Sequence, residues 1–137
     1  MQLLKTEQKN NVLKSMIKIL KDNKQKLVEQ NQKDLALFSK DDQALYDRLI
    51  IDGKKVDSMA KSVEEVLNQE DPVGKLISKN TLDSGLKIEN KTTPFGTIMI
   101  IYESRPDVTI EAVRNAAKAK NMILLKGAGE AHESNVV

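Results

Sequence analysis

Apolar residues recur at helical spacing through the first part of the chain. In four stretches they fall three or four positions apart, with lysine, asparagine and acidic residues between them, which is the pattern of amphipathic helices. Asp22 or Asn23 is a candidate N-cap for the second helix, and the fourth helix is predicted to begin near Asp52. We therefore predict an N-terminal helical segment over residues 1–70, in which the apolar stripes pack against one another.

The pattern changes at DPVG, residues 71–74, whose proline and glycine break the last helix. In LKIEN, residues 86–90, apolar and polar residues alternate, which is typical of a strand with one covered and one solvated face. DSG at residues 83–85 supplies a turn. We predict a β-hairpin within residues 71–93, and it needs a covering partner because a lone hairpin is only marginally stable in water.

Two continuous apolar runs follow, GTIMIIY at residues 96–102 and MILLK at residues 122–126. Such runs are typical of strands buried on both faces. Between them the sequence predicts a helix that is capped by Asp107 and ended by Asn121. Strand, helix and strand in this order indicate a parallel βαβ unit in residues 94–137, so the predicted fold class is α/β.

Composition narrows the class of protein. Charged residues make up 31% of the chain but the net charge is only +2, so no nucleic-acid partner is expected. No apolar run has the length of a transmembrane helix or of a signal peptide, and we expect a cytoplasmic protein without a membrane partner. The chain has no cysteine, which excludes disulfides, cysteine-based metal sites and a cysteine nucleophile of its own. No carboxylate cluster indicates a metal.

Lys126 stands where the second predicted strand ends, and Gly127 and Gly129 follow it. The carboxyl ends of parallel strands form the ligand crevice of such sheets. Glycines there let the backbone approach a ligand, and a helix starting at or just after Glu130 would add partial positive charge. These residues predict a site for a ribose hydroxyl or a phosphate. A lysine that merely extends out of the sheet beside a tight turn explains them equally well, because KGAG is neither the dinucleotide fingerprint nor the P-loop.

Arg105 and Ser104 follow the other predicted strand, at the same edge of the sheet. The guanidinium is suited to clamp a phosphate or carboxylate, but an ion pair with Glu103 or Asp107 explains the arginine at least as well. Ser104 adds a hydroxyl. His132 is the only histidine, and we expect it to be exposed rather than catalytic.

Several of these stretches resemble one known family. DPVG, LDSGL, PFGTIMIIYESRPDVT and NMILLKGAGEAHESN closely resemble, in this order, the γ-glutamyl phosphate reductases of the aldehyde dehydrogenase superfamily. NQKDL and LYDRL also match. The resemblance runs from about Lys9 to the last residue, and the YESRP and LDSGL blocks are its specific part.

The resemblance implies a fold and a cofactor. The family has a three-layer α/β NADPH-binding domain, a catalytic domain and a small β element that joins subunits. Residues 94–137 then form the incomplete start of the NADPH-binding domain, and the hairpin is part of the oligomerisation element of a homo-oligomer. Lys126 matches the superfamily lysine that contacts the adenosine ribose or its 2′-phosphate. Gly127, Gly129 and Glu130 are assigned to the same cofactor site from the residue pattern described above.

The resemblance is incomplete at three positions. Ser104 aligns with an oxyanion-stabilising asparagine of many aldehyde dehydrogenases, and a serine weakens that role. We therefore assign no residue of this chain to catalysis, and we assign Ser104 and Arg105 to substrate binding. The family usually has glycine where this chain has Ala128 and Lys120.

The implied activity is a step of proline biosynthesis. γ-Glutamyl phosphate and NADPH give glutamate 5-semialdehyde, phosphate and NADP, and glutamate 5-kinase is an implied partner. The family's nucleophile is a cysteine in a later domain of an enzyme roughly three times this length, beyond what one compact domain holds. We therefore expect an N-terminal part that is inactive alone. The alternative is a stand-alone module that binds a nucleotide or a partner without chemistry.

Overall fold

The computed structural model of the protein describes residues 4–38, 42–103 and 105–137. Within these residues the four predicted N-terminal helices are present, followed by the hairpin and the βαβ unit. The helices are α1 (Thr6–Asp22), α2 (Lys24–Leu37), α3 (Gln43–Leu49) and α4 (Gly53–Asn68). The hairpin strands are β1 (Leu76–Thr81) and β2 (Lys87–Lys91), and the βαβ unit is β3 (Thr97–Ile101), α5 (Pro106–Lys118) and β4 (Met122–Lys126). After a 3₁₀ turn (Gly129–Ala131) comes α6 (His132–Asn135). The predicted α/β class is confirmed.

The core lies between α1, α4 and α5. Leu13 of α1 and Val63 of α4 are fully buried at its centre. Ile110 and Ala117 of α5 pack against the same cluster, so one core joins the N-terminal helices to the βαβ unit. The buried residues of α4 recur at helical spacing, as its amphipathic pattern predicts: Val56, Met59, Ala60, Val63 and Val66.

The N-terminal caps agree with the prediction at one helix and differ at another. The side chain of Asp52 accepts a hydrogen bond of 2.7 Å from the backbone N–H of Lys55, so α4 starts where predicted. Asn23 occupies the N-cap position of α2 but makes no side-chain cap there. Its amide donates instead to the carbonyl of Ile19, at 2.9 Å, and so closes the end of α1. Asn23, one of the two predicted candidates, is therefore the N-cap residue of α2, but its side chain does not cap the helix.

The start of α5 also differs from the prediction. Arg105 is the N-cap residue and Pro106 begins the helix, so Asp107 lies inside the first turn and does not cap it. Proline is well suited to this first position, because its fixed φ matches the helix and its missing N–H would have had no partner there.

At the other end of α5, the C-cap is Ala119, and Lys120 has a φ of +62°, in the left-handed region. Asn121 follows that residue, so the prediction that Asn121 ends the helix was wrong. The side chain of Asn121 instead accepts a hydrogen bond of 3.1 Å from the backbone N–H of Gly96, which joins the beginnings of β3 and β4.

The hairpin forms as predicted, with antiparallel strands and an irregularity between Leu76 and Ser78. The backbone N–H of Gly85 donates to the carbonyl of Leu82 at 2.8 Å and closes the turn. Every residue of β1 and β2 is exposed. Neither face of the hairpin is therefore covered by the part of the chain that the structure describes.

Strands β3 and β4 are parallel, with Ile98 opposite Ile123 and Ile100 opposite Leu125. These four side chains are half-buried, on a two-stranded sheet whose β4 packs against α5. The alternate residues Met99, Ile101, Met122 and Leu124 are exposed. The prediction of strands buried on both faces was wrong for this structure, because the described residues supply a helical layer on one face only.

A buried lysine ties three parts of the fold together. Lys9 of α1 is 2% exposed, and its ammonium donates to the carboxylate of Asp71 at 2.6 Å and to the carbonyl of Lys118 at 3.1 Å. Burial alone would raise the pKa of Asp71, but hydrogen bonds from Lys9, Thr6 and the backbone of Val73, with the charge of Lys9, lower it to about 2. Burial lowers the pKa of Lys118.

Candidate functional site

Lys126 lies at the carboxyl end of β4, opposite Ile101 at the end of β3. The backbone N–H of Tyr102 donates to the carbonyl of Lys126 at 3.1 Å, which extends the ladder by one residue. The side chain of Lys126 is exposed, and no described residue forms a hydrogen bond or ion pair with its ammonium. The predicted position of Lys126 at the sheet edge is confirmed, and its charge is free to meet a ligand.

The two glycines after Lys126 have different surroundings. A Cβ atom on Gly127 would lie 3.0 Å from Nδ2 of Asn135 and 3.1 Å from the hydroxyl oxygen of Tyr102. A side chain on Gly127 would therefore be in tight contact with Asn135 and Tyr102, which would have to shift to admit it. A Cβ atom on Gly129 would meet nothing within 4 Å, so the backbone there is open to a ligand. Glu130 is also exposed.

A chain of hydrogen bonds lies beneath this turn. The hydroxyl of Thr109 donates to Oδ1 of Asn135 at 2.8 Å, and the hydroxyl of Tyr102 lies 2.5 Å from the same Thr109 oxygen. Since Thr109 has a single hydroxyl proton, Tyr102 is the donor. A pocket of about 280 Å³ is lined by these three residues together with Gly127 and His132. Tyr102, Thr109 and Asn135 were not predicted from the sequence, although Tyr102 ends the apolar run that contains β3.

The start of α6 is held by a carboxylate from the N-terminal helices. Asp34 of α2 accepts hydrogen bonds from the backbone N–H groups of Glu133 at 2.9 Å and Ser134 at 2.8 Å. The helical turn begins near Glu130, as predicted, but its N–H groups at Glu133 and Ser134 are satisfied by Asp34. The beginning of α6 therefore does not offer these two groups to an anionic ligand.

Asn31, one turn before Asp34 on α2, completes this buried network. Its amide nitrogen donates to the hydroxyl of Ser134 at 3.0 Å and to the carbonyl of Leu49 at 2.9 Å. Its oxygen accepts from the backbone N–H of Ile51 at 2.7 Å. Both Asn31 and Asp34 belong to the NQKDL stretch that the sequence analysis noted without assigning it a role.

Arg105 forms an ion pair with Asp107, at 3.3 Å, which is one of the two ion pairs weighed against a ligand role, and half of its side chain stays exposed. The ammonium of Lys55 lies 3.7 Å from the other oxygen of Asp107. Arg105 is thus tethered beside the sheet edge while part of its guanidinium faces outward. Ser104 lies outside the described residues. His132 is exposed, as expected.

Residues 4–38, 42–103 and 105–137 contain no group of three or more histidine, aspartate or glutamate side chains arranged to hold a metal ion. In those ranges no helix combines the length and the hydrophobicity that crossing a bilayer requires. An apolar cavity of about 140 Å³ lies between α1, α2, α4, α5 and α6, and Lys126 does not line it.

The exposed side chain of Lys126 and the open turn at Gly129 lie together at the carboxyl edge of the parallel sheet. The parallel βαβ unit places the chain in the α/β class, whose open sheets commonly carry their ligand sites at that edge.

Comparison with known proteins then identifies the relatives. The γ-glutamyl phosphate reductase of Leptospira biflexa is 39% identical over 136 residues, which are 98% of this chain and 32% of that protein. The enzyme of the same name from Nitratiruptor is 43% identical over 129 residues, 93% of this chain and 31% of its own length. No protein-family model matches the chain.

Solved structures agree with these relatives. The crystal structure of γ-glutamyl phosphate reductase from Thermotoga maritima superposes with a TM-score of 0.90 at 36% identity, covering 98% of this chain and 33% of that one. The Saccharomyces cerevisiae enzyme gives a TM-score of 0.91 at 31% identity, over 96% and 34% of the two chains. The predicted resemblance to the N-terminal portion of γ-glutamyl phosphate reductases is confirmed. The chain spans about a third of the length of the relatives it matches.

Proposed function

We propose that the chain is the N-terminal part of an NADPH-dependent γ-glutamyl phosphate reductase and supplies the adenosine end of its cofactor site. The observation that supports this most directly is the match along 98% of the chain to a crystal structure of that enzyme, at a TM-score of 0.90. The name of the relatives denotes a reductase, and reduction of this kind takes its hydride from a nicotinamide cofactor when the cofactor is bound.

Within the proposed enzyme, each residue at the sheet edge has a role of its own. Lys126 binds the ribose hydroxyls or the 2′-phosphate of the cofactor through a charge-assisted hydrogen bond. Gly129 lets the backbone approach the same group, and Glu130 borders it. Arg105, with its outward side free, binds the phosphate or carboxylate of γ-glutamyl phosphate, beside Ser104.

The chemical step belongs to a part of the enzyme outside this chain. An acyl phosphate is reduced through a thioester, which requires a thiolate, and the chain contains no cysteine. The residues of this chain therefore bind and orient, and the hairpin is proposed to join subunits. A cytoplasmic location and an association with glutamate 5-kinase remain predictions.

A chimeric enzyme tests this proposal. The third of the Thermotoga maritima enzyme that matches this chain is replaced by residues 1–137, and the reverse reaction is followed with glutamate semialdehyde, phosphate and NADP. We expect the chimera to reduce NADP, while this chain alone and the truncated Thermotoga enzyme do not. A folded but inactive chimera would contradict the proposal, and so would turnover by this chain alone in a preparation that mass spectrometry shows to be pure.

A further inference from the structure

We propose that Tyr102 is a positioning residue of the candidate cofactor site and that it acts through Thr109 and Asn135 on the turn at residues 127–129. The inference rests on the proposed function for the ligand that the turn receives. The positioning itself is argued from contacts within the chain.

Tyr102 meets the turn in three ways. Its backbone N–H donates to the carbonyl of Lys126 at 3.1 Å. Its ring lies against Gly127, where a Cβ atom would approach the ring carbon Cζ to 3.2 Å. Its hydroxyl reaches Thr109 at 2.5 Å. Tyr102 therefore contacts the last residue of β4 through its backbone and the first residue after it through its side chain.

The same chain of hydrogen bonds reaches α6, the helix that follows the turn. The hydroxyl of Thr109 donates its only hydrogen bond to Oδ1 of Asn135. Nδ2 of the same Asn135 lies 3.0 Å from where a Cβ atom on Gly127 would be. Asn135 follows Ser134 in α6, and Ser134 is anchored to Asp34 of α2. The turn that carries Lys126 and Gly129 is thus held between β3, α5 and α6, and a site built on such fixed elements loses less entropy when it binds a ligand.

Removing the Tyr102 hydroxyl should leave the ring in place and release the turn. In Tyr102→Phe the oxygen of Thr109 loses its donor, so the chain from β3 to α6 is interrupted. We expect the isolated Tyr102→Phe chain to fold, with greater mobility at Gly129 and weaker binding of NADPH. Tyr46→Phe, on α3 where the ring packs against Phe38, is the matched control.

A pair of variants at Thr109 separates hydrogen bonding from packing. Thr109→Val keeps the shape of the side chain and removes the hydroxyl, whereas Thr109→Ser keeps the hydroxyl and removes a methyl group. If Thr109 acts through its hydrogen bonds, Ser should behave like the wild type and Val like Tyr102→Phe. If Thr109 only fills space, the order is reversed.

Two readouts on the full 137-residue chain test the proposal. The ¹⁵N order parameter of Gly129 should fall from about 0.85 to below about 0.6 in Tyr102→Phe and Thr109→Val. The Kd for NADPH, measured by calorimetric titration, should rise about tenfold in the same variants, and Thr109→Ser and Tyr46→Phe should change neither value.

The outcomes distinguish this inference from the proposed function. An unchanged order parameter of Gly129 in Tyr102→Phe overturns the positioning role, whether or not the Kd for NADPH changes. A changed order parameter with no NADPH binding by the wild type supports the positioning of the turn and counts against the cofactor assignment. Equal effects of Val and Ser at Thr109 would overturn the hydrogen-bond chain as the route.

Discussion

The carboxylate of Asp34 accepts two hydrogen bonds from Ser134, which lies a hundred residues later in the sequence. The backbone N–H of Ser134 donates at 2.8 Å and its hydroxyl at 2.5 Å. Both side chains are buried. A carboxylate that satisfies the first N–H groups of a helix also suits the partial positive charge there. The contact fastens the segment after β4 to the N-terminal helices.

Asp34→Asn is expected to lower the free energy of unfolding by about 2–4 kcal/mol. An amide has one acceptor oxygen in place of two, and its NH₂ group would face a backbone donor inside a buried site. Asp57→Asn is the control, because Asp57 pairs with Lys24 on the surface and such pairs contribute under about 1 kcal/mol. Urea denaturation measures both, and equal effects would contradict a special role for Asp34.

The long helices and the βαβ unit could be predicted because their signals are local. Apolar spacing marks the buried stripe of α4, and two apolar runs with a helix between them mark the parallel strands. The position of Lys126 follows from the strand alone. Asp34 could not be placed this way, because nothing near it in sequence indicates which residue a hundred positions later it would meet.

The predicted cap of α5 failed because two local signals competed. Asp107 has a good capping side chain, but Pro106 before it fits the first helical position, and the helix begins there.

The predicted burial of β3 failed for a different reason. Its apolar run indicates that both faces avoid water, but it does not indicate which residues cover Met99 and Ile101. In the described chain α5 covers only the other face.

Lys120→Gly is expected to stabilise the protein by about 0.5–1 kcal/mol. Lys120 has a φ of +62°, a conformation that costs free energy in an L-residue and not in glycine. The greater entropy of glycine in the unfolded chain offsets part of this gain in stability. Ala119→Gly is the control, since Ala119 has a φ of −82° and should lose stability on the same change. A fall in the melting temperature of Lys120→Gly would contradict the strain.

The ion pair of Lys9 and Asp71 should make the free energy of unfolding depend on pH in the acidic range. The pKa of Asp71 is lowered from 3.8 to about 2 in the folded state, so its contribution is fully present above pH 3.8 and is lost as the pH falls toward 2. The shift corresponds to roughly 2 kcal/mol. Wild type and Asp71→Asn should therefore differ in free energy of unfolding at pH 6 and converge near pH 2. A difference that does not change over this window would contradict the ion pair.

The exposed hairpin should make the isolated chain self-associate. Ile77 and Ile88 are 64% and 47% exposed, on two strands whose outer edges are unpaired in the described residues. The double variant Ile77→Lys, Ile88→Lys should shift the chain toward monomer in analytical ultracentrifugation. Val12→Lys, which changes an exposed apolar residue of α1 outside the hairpin, should not. A wild type that stays monomeric at high concentration would contradict the prediction.

Lys126→Ala tests the cofactor edge in the active chimera. The ammonium is exposed at the end of β4, without a partner among the described residues, so its loss should not disturb the fold. A charge-assisted contact contributes roughly 1.5–3 kcal/mol, and its loss should raise the KM for NADPH at least about tenfold. The KM for γ-glutamyl phosphate should change much less, because the proposed substrate contact is Arg105, which follows the other strand.

Lys61→Ala, at an exposed position of α4, is the control for a lost surface charge. Lys126→Arg should retain part of the affinity, since it keeps the charge but not the shape of an ammonium. An unchanged KM for NADPH in Lys126→Ala would remove this residue from the site, and an equal rise for both substrates would place its role in the fold rather than at the cofactor.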